Sequence, residues 1–169
     1  LKACATAAGY PNIHQLVYDF LRNPFLKMGN TFLTSVIYNF VRHLFWFFGL
    51  HGSNILEPVT TELYISAMDA NVAAFAAGAK PPFMFTKTFF DVFISMGGSG
   101  STICMIIACL LYSRRGSFRK IAQLSLFPAL FNINEMMIFG IPIVLNPIYL
   151  IPFIGTPLVL SMTTCLAMW

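Results

Sequence analysis

The sequence predicts an all-α membrane protein in which transmembrane helices alternate with re-entrant hairpins and proline-broken segments. Three observations carry this. Of the 169 residues, 57% are hydrophobic and only 9% are charged, against about 25% charged in soluble domains. A soluble core of this size has no place for so much apolar surface, whereas lipid solvates it. Aromatics abound, with 18 Phe, 6 Tyr and 2 Trp, residue types that suit lipid-facing and interfacial positions. Prolines at 142, 147, 152 and 157 punctuate the last apolar stretch. Interrupted backbone at membrane depth is tolerated only inside protein or beside a wet cavity.

Taken in order, residues 1–30 read as an amphipathic, connecting segment. Gly9, Pro11, Pro24 and Gly29 break any long helix there, leaving Tyr18 to Lys27 as a short surface helix. Residues 32–50 form the first span candidate. Arg22 and Lys27 lie before it and the Trp46–Phe48 aromatics close it, a polarity that runs from inside to outside.

Residues 51–91 hold four acids and two lysines besides three prolines, and contain no apolar run long enough for a simple span. Tyr64 to Ala77 reads as helical within them. Residues 92–112 are the second span candidate, with the break Gly97-Gly98-Ser99-Gly100-Ser101-Thr102 near its start. The basic group Arg114, Arg115, Arg119 and Lys120 follows it and places its end in the cytoplasm. Leu124–Phe131 is too short to cross and reads as a dip into the membrane. Residues 136–169 cannot be one uninterrupted helix by this reading, and a final helix is expected from about Thr156.

The net charge of +4 is spread out and forms no basic stripe on a polar surface, so no nucleic-acid partner is expected. Cys4, Cys104, Cys109 and Cys165 have neither disulfide nor zinc spacing and are expected to pack as small hydrophobes. No metal or cofactor motif occurs, and no nucleophile elbow or H-E-x-x-H. The chain opens on Leu1 and closes on Trp169 inside an apolar run, which reads as a fragment of a longer protein.

Glu135 is the sharpest chemical signal. It is the sole acid in the 78 residues from Val92 to Trp169, and apolar segments flank it. A carboxylate at membrane depth is costly and belongs to a cavity with partners. Asn132 and Asn134 beside it add paired donors and acceptors, the chemistry that polyhydroxylated solutes need. The plainer alternative is a helix start capped by Asn134. His51 closes F-W-F-F-G-L-H-G between Gly49 and Gly52, where small residues let backbone approach a ligand. An imidazole can exchange hydrogen bonds with a hydroxyl. Asn54 and Glu57 lie close by. Arg42, inside the first span candidate, either pairs with an acid, marks a shorter span or snorkels to the interface. His14 is expected on the surface.

At these residues the sequence resembles a known family. F-N-I-N-E followed by F-G-I-P-I-V-L-N-P-I-Y-L-I-P-F, with W-F-F-G-L-H-G and G-G-S-G-S-T in the same order, resembles the membrane component (enzyme IIC) of the bacterial phosphotransferase system, lactose, cellobiose and diacetylchitobiose branch. The resemblance covers roughly residues 20–169. It departs at Met136, where the family commonly has proline.

The resemblance implies a multi-pass protein of the bacterial cytoplasmic membrane. Residues 31–169 would be the sugar-binding transport domain, and the protein would dimerise through an N-terminal half not included here. It implies a disaccharide held between two re-entrant hairpins, with His51 and Glu135 near the hydroxyl that becomes phosphorylated and Asn54, Asn132 and Asn134 as further contacts. It also implies a separate IIB partner, supplied by IIA, whose phosphocysteine transfers phosphate at the cytoplasmic face. On the residues alone, two alternatives stay open. One is a proton-coupled secondary sugar transporter using Glu135 and His51 as a relay. The other is an intramembrane enzyme acting on a lipid-linked substrate.

Overall fold

A computed structural model describes residues 12–169, and the expectations for Cys4, Gly9 and Pro11 lie outside the described residues. Ten helical elements and two π-helical turns follow one another, and no strand occurs among the described residues.

Helix α1 (Ile13–Met28) starts at Asn12, whose side chain accepts the Gln15 amide, and stops at Gly29 with φ +67°. It is longer than the expected Tyr18–Lys27 segment. Pro24 sits inside it, a correction to the expected break. Its Arg22 donates to Glu62 at 2.5 Å, and that hydrogen bond chiefly raises the guanidinium above its ordinary pKa.

Helix α2 (Phe32–Phe47) is the spine. Its N-terminal half places Tyr38 among Phe25, Tyr64 and Phe90, with edge-on ring pairs at 4.7–6.3 Å. Its C-terminal end places Trp46 in a second core with Ile106, Met137, Ile138, Ile141 and Phe153. One helix thus joins two clusters of buried apolar side chains, each stabilised by area removed from solvent. The helix ends at Phe47, three residues short of the expected span. At about 1.5 Å per residue its 16 residues reach about 24 Å.

After the short helix α3 (Gly52–Ile55), α4 (Glu57–Val59), a π-helical turn (Thr60–Ile65) and α5 (Ser66–Ala76) run on as one continuous rod, so the expected helix over 64–77 is present. An irregular stretch leads to α6 (Lys87–Phe89) and a second π-helical turn (Phe90–Ile94).

The second span candidate is corrected. Its helix, α7 (Thr102–Tyr112), has 11 residues, because Gly97, Gly98, Gly100 and Ser101 all take positive φ and end any helix before it. Helix α8 (Gly116–Ala129) then packs back along α7. The two form a helical hairpin with exposed Arg114, Arg115, Arg119 and Lys120 at and just beyond its connection.

Helix α9 (Glu135–Gly140) is followed by irregular backbone over 141–146 and by α10 (Pro147–Met168). The break after 140 agrees with expectation, but α10 begins nine residues before Thr156 and keeps Pro152 and Pro157 inside it. Pro147 occupies the first turn, where an amide has no helical acceptor. The Pro157 carbonyl collects side-chain donors from both Asn39 and Ser161. Helix α10 is the one element among the described residues long and apolar enough to cross a membrane, and only 22% of its apolar window is buried. It lies at the periphery with Ile148, Ile151 and Leu166 facing outward, as a lipid-facing helix does.

Candidate functional site

Two loops far apart in sequence meet at the end of α2. The first follows the turn Phe48–Leu50 and carries His51 at the start of α3. Gly52 is required there, because a β-carbon would collide with the Arg42 carbonyl. His51 Nδ1 accepts the Asn54 backbone amide at 3.2 Å. A neutral ring that accepts through Nδ1 carries its proton on Nε2. Nε2 points toward Glu135, with Oε1 at 3.6 Å. The ring lies against Trp46, centroids 4.4 Å apart at 50°.

The second loop carries Asn132, Asn134 and Glu135. Asn132 takes φ +60°. Its Oδ1 accepts the Gly97 amide and its Nδ2 donates to the Asp91 carbonyl, each at 3.1 Å. Asn134 is 2% exposed and donates to the Ser99 carbonyl at 2.7 Å. It occupies the N-cap position of α9, as the plainer alternative expects, but its side chain makes no capping bond there. Gly98, φ +99°, faces the Asn134 side chain so closely that any β-carbon would overlap it. The G-G-S-G motif and the N-I-N-E motif are therefore two sides of one contact.

Glu135 begins α9, and its side chain is 43% exposed. One carboxylate oxygen, Oε2, is buried and has no hydrogen-bond partner. Trp46 Nε1 is likewise buried and unpartnered. They are two of eight such side-chain atoms among the described residues, and a buried polar atom of this kind is normally completed by water or a ligand. Met136 stands in the first turn of α9, where the amide needs no helical acceptor. Methionine and proline are thus both compatible with this helix start.

The remaining candidates lie elsewhere. Asn54 is exposed, and its side chain lines a groove with His14, Tyr18 and Glu57 whose walls include neither His51 nor Glu135. Arg42 is buried and donates to Ser53 Oγ at 2.9 Å. It borders a polar cavity of about 170 Å³ with Glu57, Lys87 and Asp91. His43, one residue on, is fully buried with Nδ1 against the Asn39 carbonyl. Among the described residues no cluster of His, Cys, Asp or Glu suits a metal. The Trp46 contact with His51 was not read from the sequence, although a lone Trp in the run before His51 was its signal. The partners of the two amides are backbone atoms and carry no such signal.

What the arrangement offers is a hydrogen-bonding donor and a carboxylate beside an indole, in an otherwise apolar protein. A neutral, hydroxylated ligand needs that combination.

Comparison with known proteins points to one family. The profile described as "Phosphotransferase system, EIIC" matches residues 5–157. The lichenan permease IIC component of Bacillus subtilis is 40% identical over 162 residues, 96% of this chain and 36% of the relative. The oligo-beta-mannoside-specific EIIC component of the same organism is 33% identical over 158 residues, 93% of this chain and 36% of the relative. The crystal structure of ChbC, the IIC component of the N,N'-diacetylchitobiose-specific phosphotransferase system, superposes with a TM-score of 0.81. It is 40% identical, with 94% of this chain and 37% of that one covered. The chain thus spans a little over a third of the length of these relatives.

Proposed function

This chain belongs to the phosphotransferase system EIIC family, and from that premise we propose that it is the sugar-binding part of a bacterial permease. It is an all-helical membrane protein of a family found in the bacterial cytoplasmic membrane. In our reading residues 31–169 bind a β-linked disaccharide of the cellobiose, diacetylchitobiose or lactose type and carry it across. Residues 1–30 connect this domain to the rest of the protein. A IIB partner then phosphorylates the sugar at the cytoplasmic face, and the full protein dimerises through its N-terminal half.

The single observation that carries this reading is the approach of His51 Nε2 to Glu135 Oε1 at 3.6 Å, with Glu135 Oε2 left unpartnered. The carboxylate accepts from a sugar hydroxyl and the imidazole lies within reach of the same group. Together they orient the oxygen that attacks the phosphoryl donor. The neighbouring indole offers an apolar face to a sugar ring. The names of these relatives support the reading: two specify a disaccharide, cellobiose or diacetylchitobiose, and two specify longer sugars, lichenan and oligo-beta-mannoside.

The test uses the full-length protein in membrane vesicles with labelled cellobiose and diacetylchitobiose. Sugar phosphate should accumulate inside only with phosphoenolpyruvate and the IIB partner. Glu135→Gln should weaken sugar binding by at least tenfold, about 1.4 kcal/mol. Free sugar accumulating on a proton gradient would replace this reading with a secondary transporter.

A further inference from the structure

We propose that Asn132 and Asn134 are positioning residues: together they clasp the loop before α9 onto residues 91–99 and so hold Glu135 opposite His51, without touching the sugar. The inference rests on the sugar-site reading above and deepens it.

The geometry commits these side chains. Asn134 is buried, and its amide nitrogen donates to the Ser99 carbonyl at 2.7 Å. Its body lies against Gly98, where only hydrogen fits. Asn132 spends both ends of its amide, one on the Gly97 amide and one on the Asp91 carbonyl. It bridges the gap in the ladder where the π-helical turn Phe90–Ile94 gives way to the glycine-rich loop. Its left-handed backbone, φ +60°, suits asparagine better than most residues. Three hydrogen bonds thus cross between segments 35 to 41 residues apart, and they fall within three residues of Glu135.

That placement matters because Glu135 has no tether of its own. The one basic side chain within 4 Å of its carboxylate among the described residues is His51, at 3.6 Å, a distance beyond a good hydrogen bond. What sets the carboxylate is therefore the loop that precedes it. A displacement of about 1 Å at such a group can cost on the order of a hundredfold in a positioned reaction.

The experiment is a double-mutant cycle on the full-length protein in detergent, read as cellobiose and diacetylchitobiose affinity by titration calorimetry. The variants are Asn134→Ala, Asn132→Gly, Glu135→Asp and the two doubles. Glu135→Asp keeps a carboxylate and so keeps binding measurable. Asn132→Gly keeps the positive φ and loses only the amide, so it carries the test if Asn134→Ala does not fold.

Each asparagine variant should weaken sugar binding about five- to tenfold, about the free energy of one lost hydrogen bond, although Asn134 is buried and Asn132 exposed. On the Glu135→Asp background each should add little, since the group it positions is already displaced. Full additivity would make the asparagines direct sugar contacts and overturn the proposal. So would unchanged affinity in both asparagine variants while Glu135→Asp binds weakly. Unchanged affinity in Glu135→Asp and Glu135→Gln is a separate outcome, and it removes the sugar site itself.

Discussion

The indole of Trp46 and the imidazole of His51 lie against each other, centroids 4.4 Å apart and planes tilted by 50°, although helix α2 ends between them. The turn after Phe47 folds the chain back so that the residue opening α3 rests on the residue closing α2. The imidazole is thereby held on two sides, by the tilted indole and by the Asn54 amide at Nδ1, while the Glu135 carboxylate faces its Nε2 from 3.6 Å. Nδ1 serves the fold, and Nε2 faces the candidate site.

That division can be tested by separating the two nitrogens. His51→Asn retains an acceptor near the Asn54 amide and withdraws the donor facing Glu135. His51→Ala withdraws both. We expect the Ala variant to lose about 1 kcal/mol of stability, the usual cost of a lost N-cap, and the Asn variant to lose almost none. Both should lose sugar affinity. Thermal unfolding in detergent and calorimetric sugar titration read the two effects. Full sugar affinity in His51→Asn would deny Nε2 any part in binding.

The contact between the G-G-S-G and N-I-N-E motifs predicts an unequal response to adding one methyl group. Gly98 has φ +99° and abuts Asn134, whereas Gly78 has φ +72° and open space around it. Gly78→Ala should cost about 1 kcal/mol of backbone strain alone. Gly98→Ala adds overpacking against a buried side chain, and about 2–4 kcal/mol is expected. The unfolding midpoints of the two variants in the same detergent measure the difference. Equal midpoints would mean that the loop and Asn134 are not packed as described.

The sequence announced Glu135 and His51 because rare residue types stood out against an apolar background, and the structure brings them together. It did not announce what Asn132 and Asn134 do, because their partners are the carbonyls of Asp91 and Ser99 and the amide of Gly97, groups present in every chain. Span lengths misled for a related reason. Residues 92–112 are apolar enough on average, but hydropathy is blind to the positive φ of Gly97, Gly98 and Gly100 that confines the helix to 102–112. In α10 the error ran the other way. Each proline weakens a helix locally, yet Pro147 fell in the first turn, where its missing amide costs nothing, and around Pro157 the helix is tied to α2 by Asn39, which donates to the Pro157 carbonyl and to Ser161 Oγ. Neither circumstance is visible in a spacing of five residues.

Asn39 supplies the last prediction, because it joins α2 to α10 at that same place. Its Nδ2 donates to the Pro157 carbonyl at 2.9 Å and to Ser161 Oγ at 2.8 Å, and the residue is fully buried. Its Oδ1 has no partner. Asn39→Ala removes both donations together with an unsatisfied acceptor, so its cost should stay near 1–2 kcal/mol, within the usual range for a buried hydrogen-bonding group. Asn39→Asp has the same shape but replaces the donor with a second acceptor facing a carbonyl. To fold, the variant must either bury a carboxylate without a cation or hold it protonated, and either state is dearer than the cavity left by alanine. The expected order of stability is Asn, then Ala, then Asp, read as unfolding temperatures in detergent. The Asp variant should also recover partly as pH falls and the carboxyl takes up a proton, which lets it donate to the Pro157 carbonyl again. An Asp variant as stable as Ala at neutral pH would mean that the α2–α10 seam admits water.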